Sequence, residues 1–265
     1  MHGIYSWNAG AAAAHVVADL VAIASGAANA AGLSASCNKQ ATVISGAPGA
    51  WSVIDATYGM ISHPGIAGGP GMEARLSISA AGKVALQVVN QWAVATHAAA
   101  FAYPALDASL VIAQAGSVNL IVTPDAFMVA ASDWSAWVLV SEVKRDSPVM
   151  SGDAPGTFTL SGLHTCGMPR VKQPAGVGDA AGASVQVQSA YGALSAVAAR
   201  NRAESLYFPM VPAVLTYGAV PVGEAAGVLA VGGYAASGDV VLDAAAAEYR
   251  VLKTQNNLLV AVKQV

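Results

Sequence analysis

The chain has 265 residues, enough for one large β domain or two smaller ones with a substantial core and no metal or disulfide. Hydrophobic residues make up 55% of the sequence and charged residues 10%, with a formal net charge of −3. No basic cluster exceeds the Lys144-Arg145 pair, which argues against direct binding to nucleic acid. Two explanations fit this low charged fraction. One is a GC-rich coding sequence, and the other is the burial of large surfaces against neighbouring subunits.

Residues 1–36 are predicted to form an N-terminal amphipathic helical segment. Asn8 is the candidate N-cap, and Val16, Leu20 and Ile23 recur at the i, i+4, i+7 spacing of one helix face. Glycines between residues 26 and 32 end the pattern. We expect this helix to pack on its own domain, as most amphipathic helices do.

The two cysteines match no disulfide or metal framework. Cys37 and Cys166 lie far apart, so we expect reduced thiols and a fold that needs no cofactor. His164 and Cys166 form an H-x-C pair, but a metal site would need two more ligands. His15 and Asp19 interrupt the N-terminal apolar stretch, so no secretory signal is expected. No uninterrupted apolar run of about 18 residues is present, so no membrane span is expected.

After the helix, the hydrophobic period changes to the alternation of half-buried strands. In residues 73–79, Leu76 and Ile78 share one face, while Arg75 and Ser77 share the other. Further predicted strands are 83–94, 117–123, 135–144, 184–188, 207–217, 227–234 and 240–243, with a hairpin of 248–253 and 258–263 turned at 254–257. Without regular helical crossovers, this pattern predicts a mainly β (α+β) protein with an antiparallel sandwich or barrel-like body.

Two β-rich regions, residues 37–147 and 183–265, flank a Pro/Gly-rich loop or arm at 148–182. Long loops inside compact domains are uncommon unless functional, so we expect this segment to project and become ordered against a partner. Its apolar residues are candidate subunit-interface contacts. They are Leu163, Met168 and Val171.

Aromatic residues provide two more candidate interface positions. Trp134 and Trp137 flank a predicted turn and are expected to be exposed or subunit-facing anchors. Trp51 and Trp92 open or occupy predicted strands, so core packing is expected for both. Exposed and clustered Trp and Tyr side chains would instead indicate a sugar-binding surface.

Motifs for catalysis are missing from the sequence. It contains no G-x-S-x-G, no G-x-x-x-x-G-K-[ST] and no H-E-x-x-H. The string Gly176-Val-Gly178-Asp-Ala-Ala181 follows a polar, proline-broken segment instead of a buried strand, so it predicts a loop. Acidic residues that could serve glycoside hydrolysis are more simply turn or solvated residues; they are Asp107, Asp125, Asp133, Glu142 and Asp146. We expect no catalytic, cofactor-binding or metal-binding residues, and no enzymatic activity.

The order of several features along the chain is similar to that of a known group of proteins. The features are 7–10 before a helix with Asp19, 33–37, 48–56, 84–92 followed by His97, 118–122 with 127–130, 142–146, and 249–251 with 259–262. In this order the chain resembles poorly characterised structural proteins of tailed-bacteriophage virions; residues 146–182 have no counterpart.

The resemblance implies a structural subunit of the virion, in the tail or baseplate more than the head, assembled in the cytoplasm of the bacterial host. Its partners would be other copies of itself and other virion proteins. Two alternatives remain open. One is a receptor- or glycan-binding fibre or spike component, and the other is a virion-associated polysaccharide hydrolase.

Overall fold

Strands dominate the part of the chain that the computed structural model describes. The described residues are 2–7, 12–26, 43–45, 51–64, 72–79, 82–102, 106–111, 116–124, 126–144, 157–161, 166–167, 170–171, 180–181, 184–189, 210–217, 220–231, 235–243, 245–253 and 259–264. Their one helix, α1, is Ala13–Ala24. None of the described residues forms a helix that is long and apolar enough to cross a membrane.

The strands in the first half of the chain are short to medium in length. They are His2–Trp7 (β1), Val43–Ser45 (β2), Ser52–Asp55 (β3), Met60–His63 (β4), Met72–Ile78 (β5), Lys83–Ala93 (β6), Ala98–Ala102 (β7), Leu106–Val111 (β8), Gly116–Val122 (β9), Ala126–Ala131 (β10) and Trp137–Lys144 (β11).

The second half adds ten strands within the described residues. They are Thr157–Ser161 (β12), Cys166–Gly167 (β13), Arg170–Val171 (β14), Ala180–Ala181 (β15), Ser184–Ser189 (β16), Met210–Tyr217 (β17), Val220–Val231 (β18), Val240–Leu242 (β19), Glu248–Lys253 (β20) and Leu259–Lys263 (β21).

The predicted mainly β, antiparallel fold with an N-terminal helix is confirmed. Every predicted strand has a counterpart, because period-2 alternation marks a strand with one buried face. The predicted hairpin is also confirmed, since β20 and β21 pair antiparallel from Tyr249↔Lys263 to Lys253↔Leu259. Its turn at 254–257 lies outside the described residues.

The N-terminal segment differs from the prediction in where the helix begins. α1 begins at Ala13, and its N-cap is Ala12, which is extended and makes no side-chain capping hydrogen bond. Asn8 is therefore not the N-cap. Residues 2–7, which precede Asn8, form β1, and this strand pairs with both β2 and β9. Its side chains Tyr5 and Trp7 are buried on one face.

The apolar face of α1 packs within the chain, as predicted. Val16, Leu20 and Ile23 are buried, and the helix lies against β3, β4 and β5. Asp19 is buried on the same helix, where its Oδ2 accepts a hydrogen bond of 2.7 Å from the Tyr5 hydroxyl. A buried carboxylate requires hydrogen-bond donors. Since the donor Tyr5 lies in β1 and Asp19 lies in α1, the bond ties the helix to the strand.

One sheet contains six of the described strands. Its order is β3-β4-β5-β6-β7, and β8 pairs with β6 beside β7. β7 pairs with residues 89–93 of β6, and β8 pairs with residues 83–86. The two strands therefore occupy consecutive parts of the same edge of β6. β7 is four-fifths alanine, a composition with weak strand preference, which explains why sequence alone did not predict it.

A second sheet contains thirteen described strands from both predicted β-rich regions. Its order is β19-β20-β21-β18-β17-β16-β13-β12-β11-β10-β9-β1-β2. β18 also pairs with β11, through Val143↔Ala225 and Lys144↔Glu224. That extra pairing closes β11, β12, β13, β16, β17 and β18 into a ring, as in a barrel. The domain boundaries at 36/37, 147/148 and 182/183 stay a prediction.

The predicted loop at 148–182 contains strands. β12 pairs with β11 from Val138↔Ser161 to Glu142↔Thr157, and β13 pairs with β12 and β16. β14 and β15 pair only with each other among the described strands. The five paired residues of β12 are thus part of the chain's own sheet. The pairing of β12 was missed because proline and glycine on either side outweighed its short alternating pattern.

Gly59 permits a close approach between α1, β5 and the β3–β4 turn. Its φ is +69°, its carbonyl accepts the Leu76 N–H at 2.9 Å, and an added Cβ would collide with the Leu76 carbonyl oxygen. The same Cβ would lie 2.7 Å from Val17 Cγ1. Only glycine fits both the backbone conformation and the space.

We predict that Gly59→Ala lowers the free energy of unfolding by about 3 kcal/mol or more, because it adds overpacking to left-handed strain. Gly82→Ala is the matched control. Gly82 also has a positive φ, of 76°, but it lies in the turn before β6, so strain alone should cost about 1 to 2 kcal/mol. Urea unfolding of both variants measures the difference. Equal losses would contradict the close packing at Gly59.

Candidate functional site

Two hairpin turns meet at one end of the six-stranded sheet. The β3–β4 turn follows Asp55 and contains Tyr58, and the β6–β7 turn ends at His97. These three residues and the strand residues Arg75 and Trp92 form the candidate site, which we call the Asp55–His97 cluster. Its polar and aromatic contacts join segments that are distant in the sequence.

An Asp–His pair lies at the centre of the cluster. His97 Nδ1 and Asp55 Oδ2 are 2.7 Å apart. The Asp55 side chain is 6% exposed and the His97 side chain 44%, so the imidazole covers the carboxylate from solvent. A carboxylate at Nδ1 favours the tautomer that carries its proton there, which leaves Nε2 as the acceptor when the ring is neutral.

Tyr58 stacks on the imidazole. The ring centroids of Tyr58 and His97 are 4.4 Å apart and their planes differ by 16°. His97 has a φ of +50°, an unfavourable conformation for a residue with a Cβ. The turn before it is closed by the Thr96 N–H, which donates to the Ala93 carbonyl. The hydrogen bond to Asp55 and the stack on Tyr58 offset the strain at His97.

Arg75 and Trp92 surround the other sides of Tyr58. The Arg75 guanidinium carbon lies 5.9 Å from the Tyr58 ring centroid, and Arg75 Nε donates to the Tyr58 carbonyl at 3.3 Å. The Trp92 ring lies 5.9 Å from the Tyr58 ring at 51°. Glu73 accepts the Trp92 backbone N–H at 3.1 Å, which holds β5 and the end of β6 in register. His97, Arg75 and Trp92 thus contact the partly buried ring of Tyr58 from three directions.

The Asp55 carboxyl has a lowered pKa. Burial raises it, but hydrogen bonds from His97 and from the Tyr58 backbone N–H, together with the His97 charge, have the larger combined effect. Asp55 is therefore ionised at neutral pH, as its role as an acceptor requires.

The cluster joins the β3–β4 turn to the β6–β7 turn. In a catalytic Asp–His pair, the histidine Nε2 forms a hydrogen bond with a nucleophile or coordinates a metal. Among the described residues, His97 contacts Asp55 through Nδ1 and stacks on Tyr58. The described residues also contain no group of three or more His, Cys, Asp or Glu that could hold a metal ion.

The predicted anchors Trp134 and Trp137 lie in a different part of the molecule. Trp134 is 8% exposed and Trp137 is fully buried, so of the two alternatives, exposed or subunit-facing, the structure does not show the first. Trp137 Nε1 donates to the Lys253 carbonyl at 3.1 Å, across to β20. Both faces of β11 are buried from Trp137 to Ser141, so a side chain on either face lies in the core. Contact of either residue with a neighbouring subunit stays a prediction.

Trp134 is covered by Arg250 and Gly238. The Arg250 guanidinium carbon lies 4.7 Å from the Trp134 ring centroid, and an added Cβ on Gly238 would lie 3.0 Å from the indole. Arg250 donates to the Gly238 carbonyl and, at 3.1 Å, to Gln264 Oε1. The Ser237 hydroxyl donates to the Trp134 carbonyl at 2.9 Å. These contacts tie the β10–β11 turn to the segment before β19.

The other sequence-predicted positions have mixed outcomes. Asp133 is a turn residue as predicted: it is exposed and accepts the Ser135 N–H and hydroxyl, and these two bonds lower its pKa. Asp107 and Glu142 lie in β8 and β11. The remaining positions fall outside the described residues or outside the described side chains. They are Cys37, Asp125, Asp146, Leu163, His164, Cys166, Met168, Val171 and the 176–179 part of the glycine string.

Sequence comparison assigns no family to this arrangement. No protein-family model matches the chain, and a search of curated proteins finds no match either. The architecture alone defines the class, a mostly antiparallel β protein with one described helix.

We predict an acid-dependent coupling between Asp55 and His97. The coupling free energy from a double-mutant cycle with Asp55→Asn and His97→Gln should be about 0.5 to 1.5 kcal/mol at pH 7, because solvent screens the half-exposed His97. The folded pKa of Asp55 is lowered, so this stability is present above about pH 4 and is lost as pH falls through the folded pKa. Urea unfolding at pH 7 and at about pH 3 measures it, and an unchanged coupling energy at the lower pH would refute the assignment.

Arg250→Ala should lower the free energy of unfolding by about 2 to 3 kcal/mol, because it removes the contact with Trp134 and charge-assisted hydrogen bonds. Lys253→Ala is the matched control on the same strand, since Lys253 is exposed and should cost about 0.5 kcal/mol or less. Denaturant unfolding followed by tryptophan fluorescence compares them. Similar losses for both variants would mean that Arg250 does not hold Trp134.

Proposed function

We propose that the chain is a non-enzymatic structural subunit that works through protein–protein contacts, in the tail, baseplate or head–tail region of a tailed-phage virion. The structural role is supported by the buried polar groups of the chain, which form contacts between distant segments. Asp19 bonds Tyr5, Asp55 bonds His97, and Arg250 covers Trp134. Each of these pairs joins distant segments, so the groups that could supply chemistry hold the shape of the molecule instead.

The surface supports assembly with neighbours. The described residues expose four large aliphatic side chains, Ile4, Val94, Val240 and Leu242, on a chain with only 10% charged residues. Globular domains usually have about a quarter of all their residues charged. The low charge therefore favours subunits that cover part of one another.

The particular assembly rests on the sequence resemblance. Other copies of the chain and other virion proteins would be the partners, and assembly would take place in the cytoplasm of the bacterial host before the subunit becomes part of the particle. Neither nucleic-acid binding nor membrane insertion belongs to this proposal.

The glycan-binding alternative has one observation in its favour, the partly exposed aromatic group of Tyr58, Trp92 and His97. Sugar rings stack on a free aromatic face. Tyr58 is already stacked by His97 and flanked by Arg75, so its faces are occupied. A polysaccharide hydrolase would further need a second carboxylate about 5 to 9.5 Å from the first across a cleft. The structural role is the better supported proposal.

We predict that the purified protein is a homo-oligomer or enters a stable complex with another virion protein. Multi-angle light scattering at micromolar concentration gives the mass, and negative-stain images distinguish rings, tubes and trimeric rods. Lysozyme-like activity and glycan binding should both be absent in the same preparation. A monomer at this concentration, together with no copy in the purified particle, would contradict the proposal.

A further inference from the structure

β19 is an end strand of the thirteen-stranded sheet. It pairs with β20 through Val240↔Arg250, Val241↔Tyr249 and Leu242↔Glu248, and no other described strand pairs with it. Val240 is 45% exposed and Leu242 58%, the latter being the most exposed large aliphatic side chain among the described residues. Val241, between them, is buried in the core with Tyr249 and Val251.

The backbone of β19 has hydrogen-bonding groups that face away from the sheet. The Val251 N–H donates to the Asp239 carbonyl and the Asp243 N–H donates to the Ala247 carbonyl, so residues 239 and 243 face β20. Because an antiparallel strand alternates, residue 241 also faces β20 and residues 240 and 242 face outward. The outward N–H and C=O groups therefore belong to the two residues with exposed aliphatic side chains.

Carboxylates lie at both ends of this edge. Asp239 and Asp243 flank the three-residue strand and share the face of Val241, and Glu248 is exposed opposite Leu242. Hydrogen bonds from backbone N–H groups hold both aspartates in place, to Asp239 from Ala236 and to Asp243 from Ala245 and Ala247. Lys263 offsets part of the Asp243 charge, and Arg250, which also covers Trp134, offsets part of the charges of Asp239 and Glu248.

We propose that β19 is a docking edge for an extended segment of a partner polypeptide with the pattern basic, apolar, any residue, apolar, basic. This inference rests on the proposed role in assembly and specifies one of its contacts. The backbone of the segment would bond the outward groups of Val240 and Leu242, and its apolar side chains would lie beside theirs. Its basic residues, on the opposite face, would lie beside Asp239 and Asp243.

A second copy of the chain is a poorer occupant of the same edge. Antiparallel pairing of β19 with itself, in the register that sets residue 240 against residue 242, places Asp239 beside Asp243 of the copy at both ends. Like charges directly opposite each other destabilise strand pairs. A partner with basic residues at these positions meets opposite charges instead.

The same features also fit a protected edge, because short strands and charges are common devices against unwanted pairing. If the edge strand is guarded against pairing, no extended peptide should bind to it, whatever the charge of the peptide. Docking predicts that binding depends on positive charge in the peptide and on the exposed aliphatic residues of β19. The two interpretations therefore differ in a single measurement.

The experiment uses the full chain and a capped peptide of sequence Lys-Val-Thr-Val-Lys, with Glu-Val-Thr-Val-Glu as the matched control. Amide hydrogen exchange is followed by NMR. In the free protein, Val241 should exchange slowly and Val240 and Leu242 quickly. At a lysine peptide concentration about ten times Kd, exchange at Val240 and Leu242 should slow about tenfold, since it then occurs from the free fraction. The glutamate peptide should cause no slowing.

Leu242→Lys should abolish the protection, whereas Val94→Lys, at a similarly exposed aliphatic residue in the β6–β7 turn, should leave it unchanged. Equal effects of both peptides, or no protection by either, would overturn the docking inference. Residues 240 and 242 could instead be protected in the absence of peptide, with Leu242→Lys removing that protection. This result would identify a second copy as the occupant and would also overturn the docking inference. The assembly proposal stands or falls separately, on the mass of the protein and its presence in the particle.

Discussion

Trp51 packs where the six-stranded and thirteen-stranded sheets meet, and the arrangement of the core depends on that contact. Its ring lies 6.2 Å from Phe127 of β10 and 5.5 Å from His63 of β4. Its Nε1 donates to the Thr123 carbonyl at 2.8 Å. A large side chain with one polar group can fill the space between two apolar sheet faces and still satisfy its N–H. Trp51 belongs to one continuous hydrophobic cluster that contains residues of both sheets and of α1.

Polar contacts complete this arrangement at its edges. The Tyr5–Asp19 bond ties α1 to the thirteen-stranded sheet, while Gly59 allows the same helix to approach the six-stranded sheet closely. The Asp55–His97 cluster closes one end of the smaller sheet, and Arg250 with Trp134 closes a turn of the larger one. Hydrogen-bonded buried polar groups favour one geometry over its alternatives, although Trp92 Nε1 and Arg250 Nε make no hydrogen bond to the described residues.

The sequence predicted what local periodicity determines. The strands β5, β6, β9 and the β20–β21 hairpin alternate clearly, and the helix face of Val16, Leu20 and Ile23 is read from its spacing. Alanine-rich β7 and the short β1 have little local signal, because their pairing partners create them.

The candidate site could not be predicted in the same way. Asp55 and His97 are separated by 42 residues and belong to no motif, so only the pairing of β3, β4, β5 and β6 brings their turns together. Trp134 and Trp137 were expected at the surface because they flank a turn. Arg250, more than a hundred residues later, covers Trp134, and no local pattern indicates that contact.

Hydrogen exchange on Trp51→Phe tests most directly whether the two sheets form one unit through this contact. The substitution removes the bond to Thr123 and part of the packing on Phe127, so opening free energies should fall by about 1 to 3 kcal/mol. We expect the same decrease at the amides of Leu86, in the six-stranded sheet, and Leu120, in the thirteen-stranded sheet. A decrease at Leu86 with no change at Leu120 would contradict the account, because the sheets would then open independently.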